Sequence, residues 1–133
     1  MDQKIVKEWV SELRSDNYIQ GMNKLKAAAS EESPAAHCCL GVLCDMAVKA
    51  GVVTTEYSAS DETWFFRGEG ALPVSSLPPE SVEKWLFGED EVPYGFDWEV
   101  RDGEHTLYVL NDHGAPFRDI ADVIEANYLD EEK

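Results

Sequence analysis

Apolar positions in the first fifteen residues recur at helical spacing. Ile5, Val6, Trp9, Val10 and Leu13 fall on one stripe and predict an amphipathic helix over residues 3–14. Asp2 stands where a cap is expected, and Ser15, Asp16 and Asn17 end the run. Gly21 then breaks the pattern, leaving at most a turn of helix at 22–28, and EESP at 31–34 reads as a loop. A different pattern begins at His37. The stretch HCCLGVLCDMAVKAG is apolar nearly all round, through Cys38, Cys39, Leu40, Val42, Leu43, Cys44, Met46, Ala47 and Val48. A helix hydrophobic on every side is a buried one, so 38–48 is predicted to be the central helix, with Gly51 as its stop. Gly41 within it costs about 1 kcal/mol in propensity but lets another element approach closely.

From Val52 the residues become β-branched and aromatic. VVTTEYSA and ETWFFRG, with SASD between them, predict a pair of short strands. GALPVSSLPP is a proline-rich connector. PPESVEKWLFG predicts a short helix with Val82, Trp85 and Leu86 on one face and Gly88 at its end. EDEVPYGFDWEVRDGEHT reads as an acidic loop, in which Phe96, Trp98 and Val100 alternate ahead of an RDG turn. LYVLNDHG is apolar and stops at Gly114. Phe117, Ile120, Ala121, Ile124 and Tyr128 then share one face of a final helix, and the acidic tail 129–133 is expected to fray. The expected architecture is α+β: one domain over 1–133, helices at both ends packed on a buried central helix, and a short irregular β region.

Composition narrows the class. A chain of 133 residues that is 44 % hydrophobic can bury a real core. No run of 18 apolar residues occurs, and the amphipathic start does not resemble a signal peptide, so a soluble protein of the cytosol without a membrane role is expected. Three cysteines, two of them adjacent, do not make a disulfide framework. The net charge is −16, and it is uneven: residues 1–50 carry seven acids against six bases, whereas residues 51–133 carry 20 acids against five bases. Such a surface repels phosphate backbones and attracts basic proteins. No direct nucleic-acid binding is expected.

Candidate chemistry centres on HCCLGVLCD. His37, Cys38, Cys39 and Cys44 lack the second short-spaced pair of a structural zinc site, and on a helix they point in different directions. No metal and no cofactor are expected. Cys38 or Cys39 at a helix N-terminus could serve as a nucleophile, with Gln20 as an oxyanion donor and His105 or His113 as base. Against that stands the habit of free cysteine to behave as a small buried hydrophobe. A ligand pocket is a further alternative, lined by Trp64, Phe66 and Trp98, with Arg67 and Arg101 as cations; Arg14, Lys24 and Lys26 are the remaining candidates to neutralise an anionic ligand such as a nucleotide.

Several blocks taken together resemble a known group. WVSELRS from Trp9, YIQG from Tyr18, CCLGVLCD at 38–45, LNDHG at 110–114 and FRDIADVI at 117–124 resemble a family of small proteins of tailed phages and prophages. The resemblance spans residues 9–124 and implies a phage-type accessory protein with no catalytic residues to carry over. His113 stands at the variable position of LNDxG. The acidic stretch 89–105 fits the pattern least, which makes it a candidate for a specialised task. The expected function is non-enzymatic: Glu89, Asp90, Glu91, Asp97, Glu99, Asp102 and Glu104 would engage a basic surface on a host nucleic-acid-handling or defence protein, partly by imitating DNA charge. The alternatives are a protein that sequesters a small ligand and a cysteine-dependent enzyme.

Overall fold

Asp2 opens the first helix with its side chain: Oδ1 accepts the backbone N–H groups of Lys4 at 3.0 Å and Ile5 at 3.3 Å. In a computed structural model that describes residues 1–100 and 105–129, helix α1 runs Gln3–Arg14 and buries all five residues of its apolar stripe. Helix α2, Cys39–Lys49, is the central element and is buried nearly all round. Cys38 lies just outside it as the cap, its Sγ accepting the Gly41 N–H at 3.4 Å.

Five short strands form a mixed sheet: β1 Ile19–Gln20, β2 Lys26–Ala27, β3 Ala36–His37, β4 Val53–Ser58 and β5 Thr63–Gly68, in the spatial order β1-β3-β2-β5-β4. β1 runs parallel to β3, and the other pairings are antiparallel. β4 and β5 are the predicted strand pair. The segment 22–28, expected to hold a turn of helix, instead supplies β2. Its backbone is claimed by distant partners: the Leu25 N–H donates to Ser75, and the Leu25 carbonyl accepts from Cys38. Leu25 itself is fully buried. Gly41 explains how it gets there, since a Cβ at that position would collide with the Leu25 carbonyl.

Helix α3, Glu80–Phe87, and helix α5, Phe117–Tyr128, lie where the periodicity predicts them. The apolar stretch before Gly114 adds an element, helix α4 at Leu107–Asp112, capped by Thr106. Glu99 and Thr106 bridge in antiparallel fashion, as flanks of a hairpin would; the RDG turn lies outside the described residues, as does the tail from 130 onward. One apolar core joins α1, α2 and α5 with Phe66 and Trp98. Trp9 sits at its centre. Its indole N–H donates to the Cys39 carbonyl at 3.0 Å, and its ring meets Trp98 edge-on at 6.2 Å. The fold is α+β.

The candidate ligand-binding cleft

One lateral row of side chains crosses the sheet. His37 of β3 pairs with Lys26 of β2. The register Ala27 to Thr63 then sets Lys26 opposite Trp64 of β5, and Trp64 pairs with Tyr57 of β4. Paired residues share a face. Accordingly, the Lys26 ammonium lies 4.2 Å above the Trp64 ring, and the Tyr57 and Trp64 rings are 5.3 Å apart. Asp45 and Lys49 of α2, Tyr18 ahead of β1, Glu12 of α1 and the loop 31–35 wall His37, Lys26 and Trp64 of this row into a cleft of about 550 Å³.

The polar groups in the cleft divide into satisfied and unsatisfied. The Tyr18 hydroxyl donates to Asp45 Oδ2 at 2.6 Å, and Lys49 Nζ reaches the same oxygen at 3.3 Å. Burial pulls the Asp45 carboxyl upward, but the Tyr18 hydroxyl and Lys49 outweigh it and hold it below the ordinary value. Burial, reinforced by Asp45, pushes the Tyr18 phenol well up. In contrast, neither ring nitrogen of His37 has a hydrogen-bond partner, although the side chain is 94 % buried with the Tyr18 ring 4.9 Å away. Burial pushes this imidazole down to about 4, so it is neutral at pH 7. The indole N–H of Trp64 is also buried and unpartnered. Lys26 is half-buried, which lowers its ammonium; among the described residues no carboxylate pairs with it.

The sequence-predicted residues fall elsewhere, with two exceptions, the candidate cation Lys26 and the candidate pocket residue Trp64, which line the cleft. Phe66 and Trp98 do not line a pocket: both are core side chains, 0 % and 1 % exposed. Arg67 is on the surface, 3.6 Å from Glu56, and Arg101 lies outside the described residues. Two other candidate cations are already engaged: Arg14 pairs with Asp122 and Glu125, and Lys24 Nζ donates to Thr63 Oγ1 and the Asp61 carbonyl. Sequence reasoning missed Tyr18, His37 and Asp45 as a group, because nothing in the spacing 18, 37, 45 marks them as neighbours.

The nucleophile constellation does not assemble. Cys38, Cys39 and Cys44 are free and buried. Burial pushes the Cys38 thiol up to about 11 and those of Cys39 and Cys44 well above the ordinary value, which keeps them protonated at pH 7. Gln20 is spent on structure: its Nε2 donates to Asn111 Oδ1 and the Ala115 carbonyl, and its Oε1 accepts the Phe117 N–H. His113 is an exposed residue at the end of α4. Among the described residues, no three of His, Cys, Asp and Glu stand together as metal ligands.

A family model described as a domain of unknown function, DUF8296, matches residues 1–128. The chain belongs to the DUF8296 family. No curated protein and no solved structure matches it. The matched span of this DUF8296 domain contains every cleft residue and also the acidic surface. On that surface Glu89, Asp90, Glu91, Asp97 and Glu99 are exposed; Asp102 and Glu104 lie outside the described residues. Asp97 accepts the Tyr108 hydroxyl at 2.6 Å and Glu99 accepts the Asp97 N–H at 2.7 Å. No helix of the described residues is long and apolar enough to cross a membrane.

Proposed function

We propose that this protein acts by non-covalent binding of a small ligand in the cleft floored by His37, Lys26 and Trp64. The observation that carries the reading is the pair of buried, unpartnered nitrogen groups on one cleft, the His37 imidazole and the Trp64 indole. A buried polar group without a partner costs about 1–3 kcal/mol, and a ligand that satisfies both recovers that cost on binding. The protein would be incubated with a bacterial metabolite extract, re-isolated under native conditions, and the retained small molecules identified by mass spectrometry. Retention by the native chain and its loss in His37→Phe and Trp64→Phe is the expected result; equal retention by all three chains would overturn the reading.

A second surface belongs to the expected contact with a basic host protein, in keeping with a phage-type accessory protein working in a bacterial cytoplasm. What favours it is charge crowding: Glu80, Glu83, Glu89 and Asp90 line a groove of about 340 Å³ with Lys84. Burial, with Glu80 and Asp97 nearby, pushes the Glu83 carboxyl up. Tyr94 stands fully exposed in the same loop. Association through this face would slow as salt rises, since exposed charges are screened within about 8 Å at physiological ionic strength. The triple replacement of Glu89, Asp90 and Glu91 by their amides would slow it again. A rate unchanged from low to high salt would leave these acids as a solubilising surface.

A further inference from the structure

We infer that the cleft receives an oxyanion, the carboxylate or phosphate end of its ligand, held jointly by Lys26, Trp64 and His37. The inference rests on the cleft reading above and specifies the chemistry of what enters. Three donor groups on cleft-lining residues have no acceptor: the Lys26 ammonium, the buried Trp64 indole N–H and the one N–H of the neutral, buried His37 ring. They are adjacent because β3, β2 and β5 set their residues in one cross-strand row. An isolated, half-buried ammonium is costly, and in a chain with 27 acids a carboxylate partner would be easy to supply. Lys26 has only the face of Trp64 beneath it. The carboxylate that acts on Lys26 from a distance, Asp45, is bound through its Oδ2 to Tyr18 and Lys49.

The charge lining the cleft is close to balanced, with one carboxylate in excess. The lining residues come from positions 12–49 and from Trp64, and residues 1–50 carry seven acids against six bases, in a chain whose overall charge is −16. Two ammonium groups, Lys26 and Lys49, face the cleft, against Glu12, Glu31 and Asp45. A charge-assisted bond from Lys26, with two neutral N–H donors beside it, matches the several lone pairs of a carboxylate or phosphate better than a single carbonyl. Tyr18, Pro34 and Ala35 provide the flanking surface for the rest of the molecule.

The test uses benzoate, phenyl phosphate and, as the neutral counterpart of benzoate, benzamide, each titrated into the intact protein at constant ionic strength. The Trp64 indole N–H and the His37 ring protons are followed by NMR. Saturable shifts of both with benzoate or phenyl phosphate, at least about tenfold tighter than with benzamide, are expected, a difference equal to about 1.4 kcal/mol. The comparison of benzoate with phenyl phosphate tells a carboxylate site from a phosphate site. Lys26→Gln should weaken the anion about tenfold and Lys26→Arg should restore it. Benzamide binding as tightly as benzoate, or an anion affinity unmoved by Lys26→Gln, would overturn the oxyanion while leaving the cleft in place. Silence of both resonances with all three probes also overturns it, and the metabolite retention experiment then decides on the cleft by itself.

Discussion

Tyr18 and Asp45 meet across 2.6 Å, a loop hydroxyl locked onto a carboxylate of the central helix. The pair fixes one wall of the cleft and couples α2 to the segment that enters β1. Hydrogen bonds to charged groups are worth about 1.5–3 kcal/mol when buried. Because this pair is only half-buried, Tyr18→Phe should cost about 1 kcal/mol in urea unfolding. It should also raise the Asp45 carboxyl toward its ordinary value, read by carboxyl NMR titration. An Asp45 titration unchanged in Tyr18→Phe would show that Lys49 alone holds it down.

His37 links the cleft to pH. Its ring titrates at about 4 in the fold against an ordinary 6.5, so between these values the unfolded chain binds the extra proton. Stability therefore rises with pH across this window. It is complete above about 6.5 and falls progressively as the pH drops toward 4. The gap corresponds to a loss of about 3 kcal/mol at most, at roughly 1.4 kcal/mol per pH unit. His37→Phe should flatten the curve between pH 6.5 and 4.5. A variant that keeps the full slope would mean another group is responsible. A ligand that accepts from the His37 N–H stabilises the neutral ring only modestly, whereas an oxyanion favours the protonated ring, so an anion should pull the His37 titration upward.

Most of the helical frame was legible because each helix buries a stripe that its own sequence spells out. The residues 3–14 predicted from Ile5 to Leu13 are those of α1, and all of Phe117, Ile120, Ala121, Ile124 and Tyr128 are buried in α5. The two-residue strands were not legible. Lys26–Ala27 is a strand because distant chain claims its backbone, a matter of tertiary pairing that no local pattern carries. The cleft was illegible for the same reason: His37, Lys26 and Trp64 become neighbours only through the order β3-β2-β5. Even Trp64 and Phe66, both read as lining a pocket, have different fates: Trp64 lines the cleft, whereas Phe66, whose backbone bridges to Val74, is fully buried in the core.

Gly41 separates local propensity from packing. On an isolated helix, Gly41→Ala would add up to about 1 kcal/mol of stability. Here the new Cβ meets the Leu25 backbone, not a flexible side chain, so something in the sheet must move. Overpacking of this kind typically costs about 1–3 kcal/mol, and it would displace the neighbour of Lys26. A net loss of stability, with a shifted Trp64 indole resonance, is expected by thermal unfolding and NMR. A stabilised variant would mean that α2 and Leu25 are further apart than described.

Asn111 is the residue on which three segments depend, and it is fully buried. Its Oδ1 accepts the Cys39 N–H and the Gln20 amide, both at 3.1 Å, while its Nδ2 donates to the Gly21 carbonyl at 2.8 Å. The first turn of α2, β1 and the bend at Gly21 thus share one side chain, carried by the LND of α4. Asn111→Leu has nearly the same volume but leaves two donors and one acceptor buried without partners. At about 1–3 kcal/mol for each unsatisfied group, part of it recovered by relaxation, a loss of about 3 kcal/mol is expected in urea unfolding. Asn111→Asp tests the direction of these bonds. A carboxylate could still accept from Cys39 and Gln20, but it faces the Gly21 carbonyl as one acceptor against another and adds a buried charge. Asn111→Asp should therefore be as damaging at pH 7 as Asn111→Leu, and it should recover on acidification, when the protonated acid can donate to Gly21. A variant indifferent to pH would show that the Gly21 contact carries none of the stability.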